Sequence, residues 1–172
     1  MCAASHDLDF IPQLFLMQYI SFRTLKGIDS ELISQLLLNS PKEYTKYFRP
    51  FDFNPSSIQL VLEKAVKDQF FGVEFKSENY PKSELIGFYM LRGLDEGYTE
   101  PMYGVFVSHK YSGKGIARLT ITHAESFCKF HGYKQILLKV FPENIRAQKI
   151  YRNLDFQFLR KDKLSKQILL CK

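Results

Sequence analysis

The spacing of apolar residues in the first half of the chain changes from strand-like to helix-like and back. Residues 19–25 alternate between apolar and polar side chains, as a strand with one buried face does. Residues 29–38, which begin at the possible N-cap Asp29, and residues 58–68, which follow Pro55-Ser56-Ser57, repeat apolar positions at helical spacing. Strand-like runs then return at 70–75, 85–91 and 102–107. The pattern predicts a strand, two helices and an antiparallel meander of three strands.

The second half of the chain alternates between helix and strand patterns. Apolar residues recur at helical spacing from 117 to 131, directly before Gly132, and again from 144 to 153. Strand-like runs occupy 135–141, 156–159 and 167–170. Because a long helix connects the fourth strand to the fifth, those two strands should be parallel neighbours. The predicted fold class is α+β, with a mixed, mostly antiparallel sheet of about seven strands and about four flanking helices.

Length and composition predict one globular domain over residues 1–172, in which residues 1–18 form an N-terminal extension. The chain has 172 residues, of which 45% are hydrophobic. It contains no apolar run of about eighteen residues and begins without a basic segment, so we expect neither a membrane contact nor a secretory signal. Three widely separated cysteines (Cys2, Cys128 and Cys171) indicate a reducing, cytoplasmic setting and no metal site.

Charge is divided unevenly along the chain. Residues 1–107 hold 10 Lys/Arg and 14 Asp/Glu, whereas residues 108–172 hold 14 Lys/Arg and 4 Asp/Glu. The basic half suits a polyanionic small molecule. Nucleic acid is the competing partner for such a surface, but the sequence contains no helix-turn-helix, zinc-finger or aromatic RNA-binding signature, so we expect no nucleic-acid binding.

The basic half also contains a glycine-rich turn, Ser112-Gly113-Lys114-Gly115-Ile116-Ala117, with Arg118 directly after it. The turn follows the apolar run 105–107 and opens the predicted helix. Two closely spaced glycines let several backbone N–H groups point at one spot, and the start of a helix adds further unpaired N–H groups. Such a turn can hold a phosphate or pyrophosphate, although many similar turns only connect a strand to a helix.

A second segment about thirty residues downstream makes the turn more specific. It carries Asn144, Ala147, Tyr151 and Phe156. Together the two segments resemble the GNAT superfamily of acyl-CoA-dependent N-acyltransferases, whose patterns are Gln/Arg-x-x-Gly-x-Gly/Ala and Asn-x-x-Ala-x-x-x-Tyr. The resemblance covers roughly residues 84–160. Ser112 departs from the pattern, since Gln or Arg usually stands there, so one pyrophosphate contact should be weaker or come from elsewhere, with Lys110, Lys114 and Arg118 as candidates.

The resemblance implies roles for particular residues. Strands four and five would be parallel but splayed, and the backbone of Val105, Phe106 and Val107 would bind the pantetheine arm between them. The N–H of Val107 would stabilise the oxyanion of a tetrahedral intermediate, and Tyr151 would protonate the departing thiolate. The implied cofactor-binding residues are Val105, Phe106, Val107, Ser112, Gly113, Lys114, Gly115, Ile116, Ala117, Arg118, Asn144, Ala147 and Tyr151. The alternatives are a buried strand at 105–107, an ordinary N-cap at Asn144 and a core tyrosine at 151.

A general base for the acceptor amine is less evident in the sequence. Many family members use a carboxylate on or near strand four, which makes Glu100 the candidate here, with Glu84 and Tyr103 as rivals. Each of the three is also an ordinary surface or packing residue, and a site without a protein base is a further alternative. The four histidines form no recognisable catalytic or metal-binding pattern.

The connection between the two early helices is rich in aromatic residues and predicts the acceptor site. Tyr47, Phe48 and Phe51 could stack on a sugar or base beside the cations of this segment. Residues 47–53 resemble a segment of family members that acylate nucleotide-linked amino sugars, although aromatics that only pin the loop to the core would give the same pattern.

The sequence therefore predicts an N-acetyltransferase that transfers an acetyl or short acyl group from acyl-CoA to a primary amine of a small substrate. It needs no metal and acts as a monomer or homodimer. The alternatives are acylation of a protein or peptide amine, and a non-catalytic acyl-CoA-binding module.

Overall fold

The computed structural model describes residues 19–76 and 83–172, so the predicted N-terminal extension, 1–18, lies outside the described residues. The strands found there form a single sheet: β1 (Ile20–Thr24), β2 (Gln69–Phe75), β3 (Glu84–Arg92), β4 (Met102–Val107), β5 (Leu137–Val140), β6 (Gln157–Lys161) and β7 (Ile168–Cys171). The α-helices of the same ranges are α1 (Ser30–Leu38), α2 (Lys42–Thr45), α3 (Pro55–Lys64), α4 (Ile116–Phe130) and α5 (Ile145–Arg152). In these ranges no helix is long and apolar enough to cross a membrane.

The sheet has the strand order β1-β2-β3-β4-β5-β7-β6. The pairs β1–β2, β2–β3 and β3–β4 are antiparallel, which confirms the predicted meander. The pair β4–β5 is parallel, as the long intervening helix predicted. This parallel ladder is limited to Met102 and Leu137, the first residues of the two strands. Past that point β4 and β5 diverge, so the sheet is open between their C-terminal ends.

The core lies on both faces of the sheet. Because side chains alternate along a strand, Phe88 and Phe106 face one side, whereas Tyr89, next to Phe88, and Tyr103, three residues before Phe106, face the other. Helices α1 and α3 cover the first face, with Ile33, Leu37, Ile58 and Leu62 in contact with the sheet. Helix α4 covers the second face through Ile121, Ala124 and Cys128. The α+β class, the mixed sheet and the flanking helices are therefore confirmed.

The beginning of α1 differs from the sequence prediction. Asp29 stands at the N-cap position, but its carboxylate makes no capping bond. It accepts two hydrogen bonds from Arg23, at 2.7 and 2.9 Å, and one from the N–H of Lys26 at 2.8 Å. The bond from Arg23 is the main reason that the pKa of Asp29 lies below its usual value. Asp29 thus ties β1 to the turn before α1 instead of capping the helix.

The end of α3 also differs from the prediction. The helix stops at Lys64, not at Asp68, and Ala65 has extended backbone angles. The carboxylate of Asp95 accepts the backbone N–H groups of Val66, Lys67 and Asp68 at 2.9, 2.8 and 3.1 Å. These contacts satisfy donors that a longer helix would have used internally, so the chain leaves the helix early. Helix α2 is a single turn of four residues that the periodicity did not predict.

Candidate functional site

The opening between β4 and β5 exposes particular backbone groups. Val107 pairs with Gly87, and the next residue, Ser108, donates its N–H to the carbonyl of Ile86 at 2.8 Å. In an antiparallel ladder this arrangement marks a non-hydrogen-bonded pair, so the N–H and C=O of Val107 point away from β3. They point toward β5, which has diverged at this level. Val105, two residues earlier, has the same orientation.

Phe106 has the opposite orientation. It forms the hydrogen-bonded pair with Phe88, so its N–H and C=O are directed to β3. Its side chain is buried among α1 and α3. Of the three residues expected to offer backbone groups to the opening, the structure brings Val105 and Val107 to it and not Phe106. The alternation of the ladder is the physical reason.

Helix α2 lies at the open end of β4. The hydroxyl of Tyr44 donates a hydrogen bond to the carbonyl of Val107 at 2.9 Å. Its ring makes edge contacts with Phe106, at 5.8 Å between centroids, and with His109, at 6.3 Å. The Tyr47 ring lies 5.7 Å from Phe141, the residue after β5. Tyr44 and Tyr47 therefore reach from the end of β4 to the end of β5 across the opening.

The other two predicted acceptor residues are half-buried and pack against the core. The Phe48 ring contacts the rings of Phe88 and Phe106, at 5.7 and 5.2 Å, and Phe51 stacks on Phe88 at 6.4 Å. These contacts leave Tyr47 as the one predicted acceptor residue beside the opening. Phe48 and Phe51 instead hold the connection between α2 and α3 against the sheet, which is the alternative that the sequence left open.

The glycine-rich turn forms a cradle at the start of α4. Gly113 and Gly115 both have φ of 81°, a left-handed conformation that favours glycine, and Gly115 is the N-cap. A Cβ atom added to Gly113 would meet nothing within 4 Å, so the space above the turn is open. The N–H groups of Ile116 and Ala117 have no partner inside the helix, because its first hydrogen bond is the one from Arg118 to the carbonyl of Gly115, at 3.0 Å. Ile116 can contribute only its backbone, because its side chain is buried.

The second predicted segment lies along α5. The side-chain oxygen of Asn144 accepts the N–H of Ala147 at 3.1 Å, so Asn144 is the N-cap of this helix. Tyr151 packs against Phe156 at 5.5 Å between ring centroids. Burial raises the pKa of Tyr151 to about 12, which keeps the phenol protonated at neutral pH. Within residues 19–76 and 83–172 its hydroxyl makes no hydrogen bond, so its proton remains free to donate.

Glu100 does not belong to this site. Its carboxylate accepts the backbone N–H groups of Lys134 and Gln135, both at 3.0 Å, and so orders the turn before β5. Glu100 lies just before the first residue of β4, whereas Val107 is the last residue of that strand. Seven residues of extended chain separate the two and span about 23 Å, so Glu100 lies at the opposite end of the strand from Val107. The prediction that Glu100 is the general base is therefore corrected.

The contacts of Glu84 and Tyr103, the other two candidates, do not support either of them as the general base. Glu84 is exposed and accepts a hydrogen bond from the Tyr111 hydroxyl at 2.7 Å. Tyr103 is buried in the core, where its hydroxyl pairs with Thr120 at 2.8 Å. Burial holds the pKa of Tyr103 far above its usual value, which is the wrong direction for a base.

Two residues that the sequence analysis did not select lie beside the opening. His109 follows Val107 by two residues, and its Nδ1 atom is buried without a hydrogen-bond partner among the described residues. Arg146, on α5, donates a close hydrogen bond to the Ser112 hydroxyl, and its guanidinium carbon lies 5.9 Å from the centre of the Tyr44 ring. The position of His109 just after strand four could have indicated that it lies near the site. Nothing in the local sequence indicated the same for Arg146.

No metal site accompanies these residues. Across residues 19–76 and 83–172, no group of three or more His, Cys, Asp or Glu side chains is arranged to hold a metal ion.

The fold and the site together define a class of protein. A mixed sheet opens between two parallel strands, and a glycine-rich anion cradle follows the first of them. The acetyltransferase (GNAT) family has a sequence profile that matches residues 35–156. The chain therefore belongs to the GNAT family of acyl-CoA-dependent N-acetyltransferases. A comparison with curated protein sequences found no match.

Solved structures support the same fold. The PaiA N-acetyltransferase of Thermoplasma acidophilum, solved with coenzyme A, has a TM-score of 0.70 at 17% identity and covers 89% of this chain and 98% of its own. The spermidine N-acetyltransferase of Vibrio cholerae, with coenzyme A and spermine, has a TM-score of 0.67 at 20% identity, with 90% and 94% covered. The ribosomal-protein-S5-alanine acetyltransferase of Vibrio fischeri has a TM-score of 0.65 at 19% identity, with 90% and 92% covered.

The residues of the cradle fit the diphosphate of coenzyme A. The open space above Gly113 and the unpaired N–H groups at the start of α4 offer a neutral, donor-rich surface to an anion. The charge of the surrounding half of the chain, with 14 Lys/Arg against 4 Asp/Glu, has the matching sign.

Proposed function

We propose that this protein transfers an acetyl or short acyl group from acyl-CoA to a primary amine of a small substrate, in the opening between β4 and β5. The observation that carries the proposal is the orientation of Val107. Its N–H points into the opening where the two strands have diverged, and the anion cradle begins five residues later along the chain. A thioester that lies in the opening with its phosphates on the cradle would have its carbonyl near this N–H.

Acyl-CoA, when bound, supplies an activated thioester. The N–H of Val107 stabilises the negative charge that develops on the thioester oxygen, and one such donor contributes about 3 kcal/mol. The phenol of Tyr151 donates its proton to the sulfur that leaves. Because the pKa of Tyr151 is raised to about 12, its phenol keeps its proton throughout the neutral pH range and can donate it.

The acceptor amine approaches from the side of α2. Tyr44 and Tyr47 lie across the opening there and restrict its width, which favours a small amine over a folded protein surface. His109 lies on the same side, with its ring 6.3 Å from that of Tyr44, and because its Nδ1 is buried, that atom would receive the proton of the amine only by way of another group. The amine must lose a proton before or during attack, so a nearby acceptor of this kind raises the rate.

The identity of the amine remains a prediction. Two of the three aromatic residues that suggested a nucleotide-linked amino sugar hold their loop against the core, so this acceptor has little support from the contacts. The structural relatives include enzymes named for spermidine, a polyamine, and for an alanine of a ribosomal protein. The acceptor should therefore be found by comparison of these chemical classes.

The test combines binding with turnover. Isothermal titration with acetyl-CoA and free coenzyme A should show binding, and a thiol-release assay should then compare spermidine, a nucleotide-linked amino sugar and a peptide with an N-terminal alanine. We expect release of coenzyme A with a small amine and little with the peptide. Efficient turnover of the peptide alone would overturn the small-substrate proposal. Failure to bind any acyl-CoA would overturn the proposed function as a whole.

A further inference from the structure

We infer that Arg146 binds the pyrophosphate of coenzyme A, in place of the Gln or Arg that the family pattern has at position 112. The inference rests on the proposed function, because it concerns the same cofactor site. It assigns a specific contact to a side chain outside the glycine-rich turn, which was not among the cations considered from the sequence.

The first argument is geometric. Arg146 lies in the first turn of α5, which begins after β5, yet its guanidinium donates a hydrogen bond to Ser112 in the turn after β4. One side chain therefore connects the two sides of the opening. Its guanidinium carbon also lies 5.9 Å from the centre of the Tyr44 ring, a contact that helps to hold the cation beside the opening. The contact brings the cation to the position where the family pattern expects one.

The second argument is electrostatic. A cation near the N-terminus of a helix opposes the positive end of the helix dipole, and the first turn of α5 contains no acidic residue. Among residues 19–76 and 83–172, Arg146 has no carboxylate partner, and the Ser112 hydroxyl that it contacts is neutral. A guanidinium placed in this way lacks a compensating anion. The cradle at Gly113 and Gly115, directly after Ser112, is where a bound diphosphate would supply that charge.

The third argument concerns the chemistry of the side chain. A guanidinium presents several N–H donors in a planar fork, which matches two oxygens of a phosphate group. One donor is used on Ser112, and others remain for the ligand. Ser112 thus acts as a short support that orients Arg146, whereas a Gln or Arg at position 112 would itself reach the phosphates.

The test measures binding of free coenzyme A by isothermal titration. For R146Q we expect an affinity about ten- to hundredfold lower than that of the wild type, because a charge-assisted hydrogen bond to phosphate is lost. The matched control is R152Q. Arg152 is an exposed arginine at the other end of α5, so this change removes the same charge from the same helix and should leave the affinity near that of the wild type.

Three further measurements assign the contact. The loss in R146Q should be equal for coenzyme A and for its 3′-dephospho form, and should disappear for pantetheine, which lacks the pyrophosphate. R146K, which keeps the charge but loses the fork, should fall between wild type and R146Q. The double variant R146Q/S112R, which places a cation at the family position, should recover most of the affinity.

The outcomes separate the inference from the proposed function. Wild-type protein that fails to bind coenzyme A would overturn both. Wild-type binding with unchanged affinity in R146Q, or an equal loss in R152Q, would overturn the role of Arg146 alone. A loss that vanishes with 3′-dephospho-coenzyme A would assign Arg146 to the 3′-phosphate and overturn the pyrophosphate contact. Because Arg146 is exposed, thermal unfolding of R146Q should match the wild type and exclude a folding defect.

Discussion

The substitution G87A should impair catalysis by tilting a single peptide unit. Gly87 pairs with Val107, and a Cβ atom at position 87 would lie 2.7 Å from the carbonyl oxygen of Phe106 and 3.2 Å from the Val107 Cα. The carbonyl of Phe106 and the N–H of Val107 belong to the same planar peptide group. A methyl group that pushes on the oxygen therefore moves the N–H that points into the opening.

The size of the effect follows from the contact distance. Carbon and carbonyl oxygen approach no closer than about 3.3 Å in ordinary contacts, so the peptide must move by about 0.6 Å. Displacements approaching 1 Å at a reacting centre cost up to about a hundredfold in rate, as does the loss of one oxyanion donor. We expect kcat of G87A to fall about ten- to hundredfold. Overpacking of the buried strand should also lower the free energy of unfolding by about 1–3 kcal/mol.

The assay is steady-state thiol release with acetyl-CoA and the best acceptor, at a temperature where each variant is fully folded by circular dichroism. The control is G104A in the neighbouring strand, where the nearest atoms to the added Cβ all belong to the Met90 side chain, with its terminal methyl group at 2.6 Å and its Cγ at 3.4 Å. That flexible side chain can move, so G104A should keep a kcat near that of the wild type. Folded G87A with wild-type kcat, or an equal loss in G104A, would refute the assignment of the Val107 N–H.

Three other changes test separate parts of the structure. Y151F should lower kcat about a hundredfold while the Kd for coenzyme A changes much less, because the main task of the phenol is to donate a proton to the departing sulfur. Wild-type turnover would remove Tyr151 from the mechanism. E100A should lower the free energy of unfolding by about 0.5–1.5 kcal/mol, since the exposed N–H groups of Lys134 and Gln135 exchange the carboxylate for water, and should leave kcat of the folded enzyme intact. Burial lowers the pKa of His123 from 6.5, so the native protein binds fewer protons than the unfolded chain in acid, and stability falls as the pH drops below 6.5. Urea unfolding of H123Q should show a smaller loss over that range; equal pH dependence in both proteins would contradict this linkage.

Local pattern was sufficient for most of the secondary structure and for the family. Strand β4 has the predicted bounds, Met102–Val107, and α4 differs by one residue at each end. Alternation and helical spacing depend on which side chains face the core, and this information lies in neighbouring positions. The end of α3 was missed because it depends on Asp95, which lies 29 residues beyond Val66. Helix α2 is too short to show a period.

Site residues separated along the chain were harder to predict. The sequence placed Glu100 near strand four, but it could not show that the sheet opens at the far end of that strand, beside Val107. It could not separate Tyr47 from Phe48 either, since both are aromatic and adjacent, and only the ring contacts with Phe88 and Phe106 show that Phe48 packs against the core.

The sequence by itself determined the order of elements, the glycine-rich turn, the segment with Asn144 and Tyr151, and the basic charge around them. Each is a property of residues that are close along the chain. Only the tertiary structure decided that β4 and β5 part after Met102 and Leu137, that Val107 and not Phe106 faces the opening, and that Arg146 reaches Ser112. These features depend on strand pairing and on contacts between residues far apart in sequence, which the fold alone brings together.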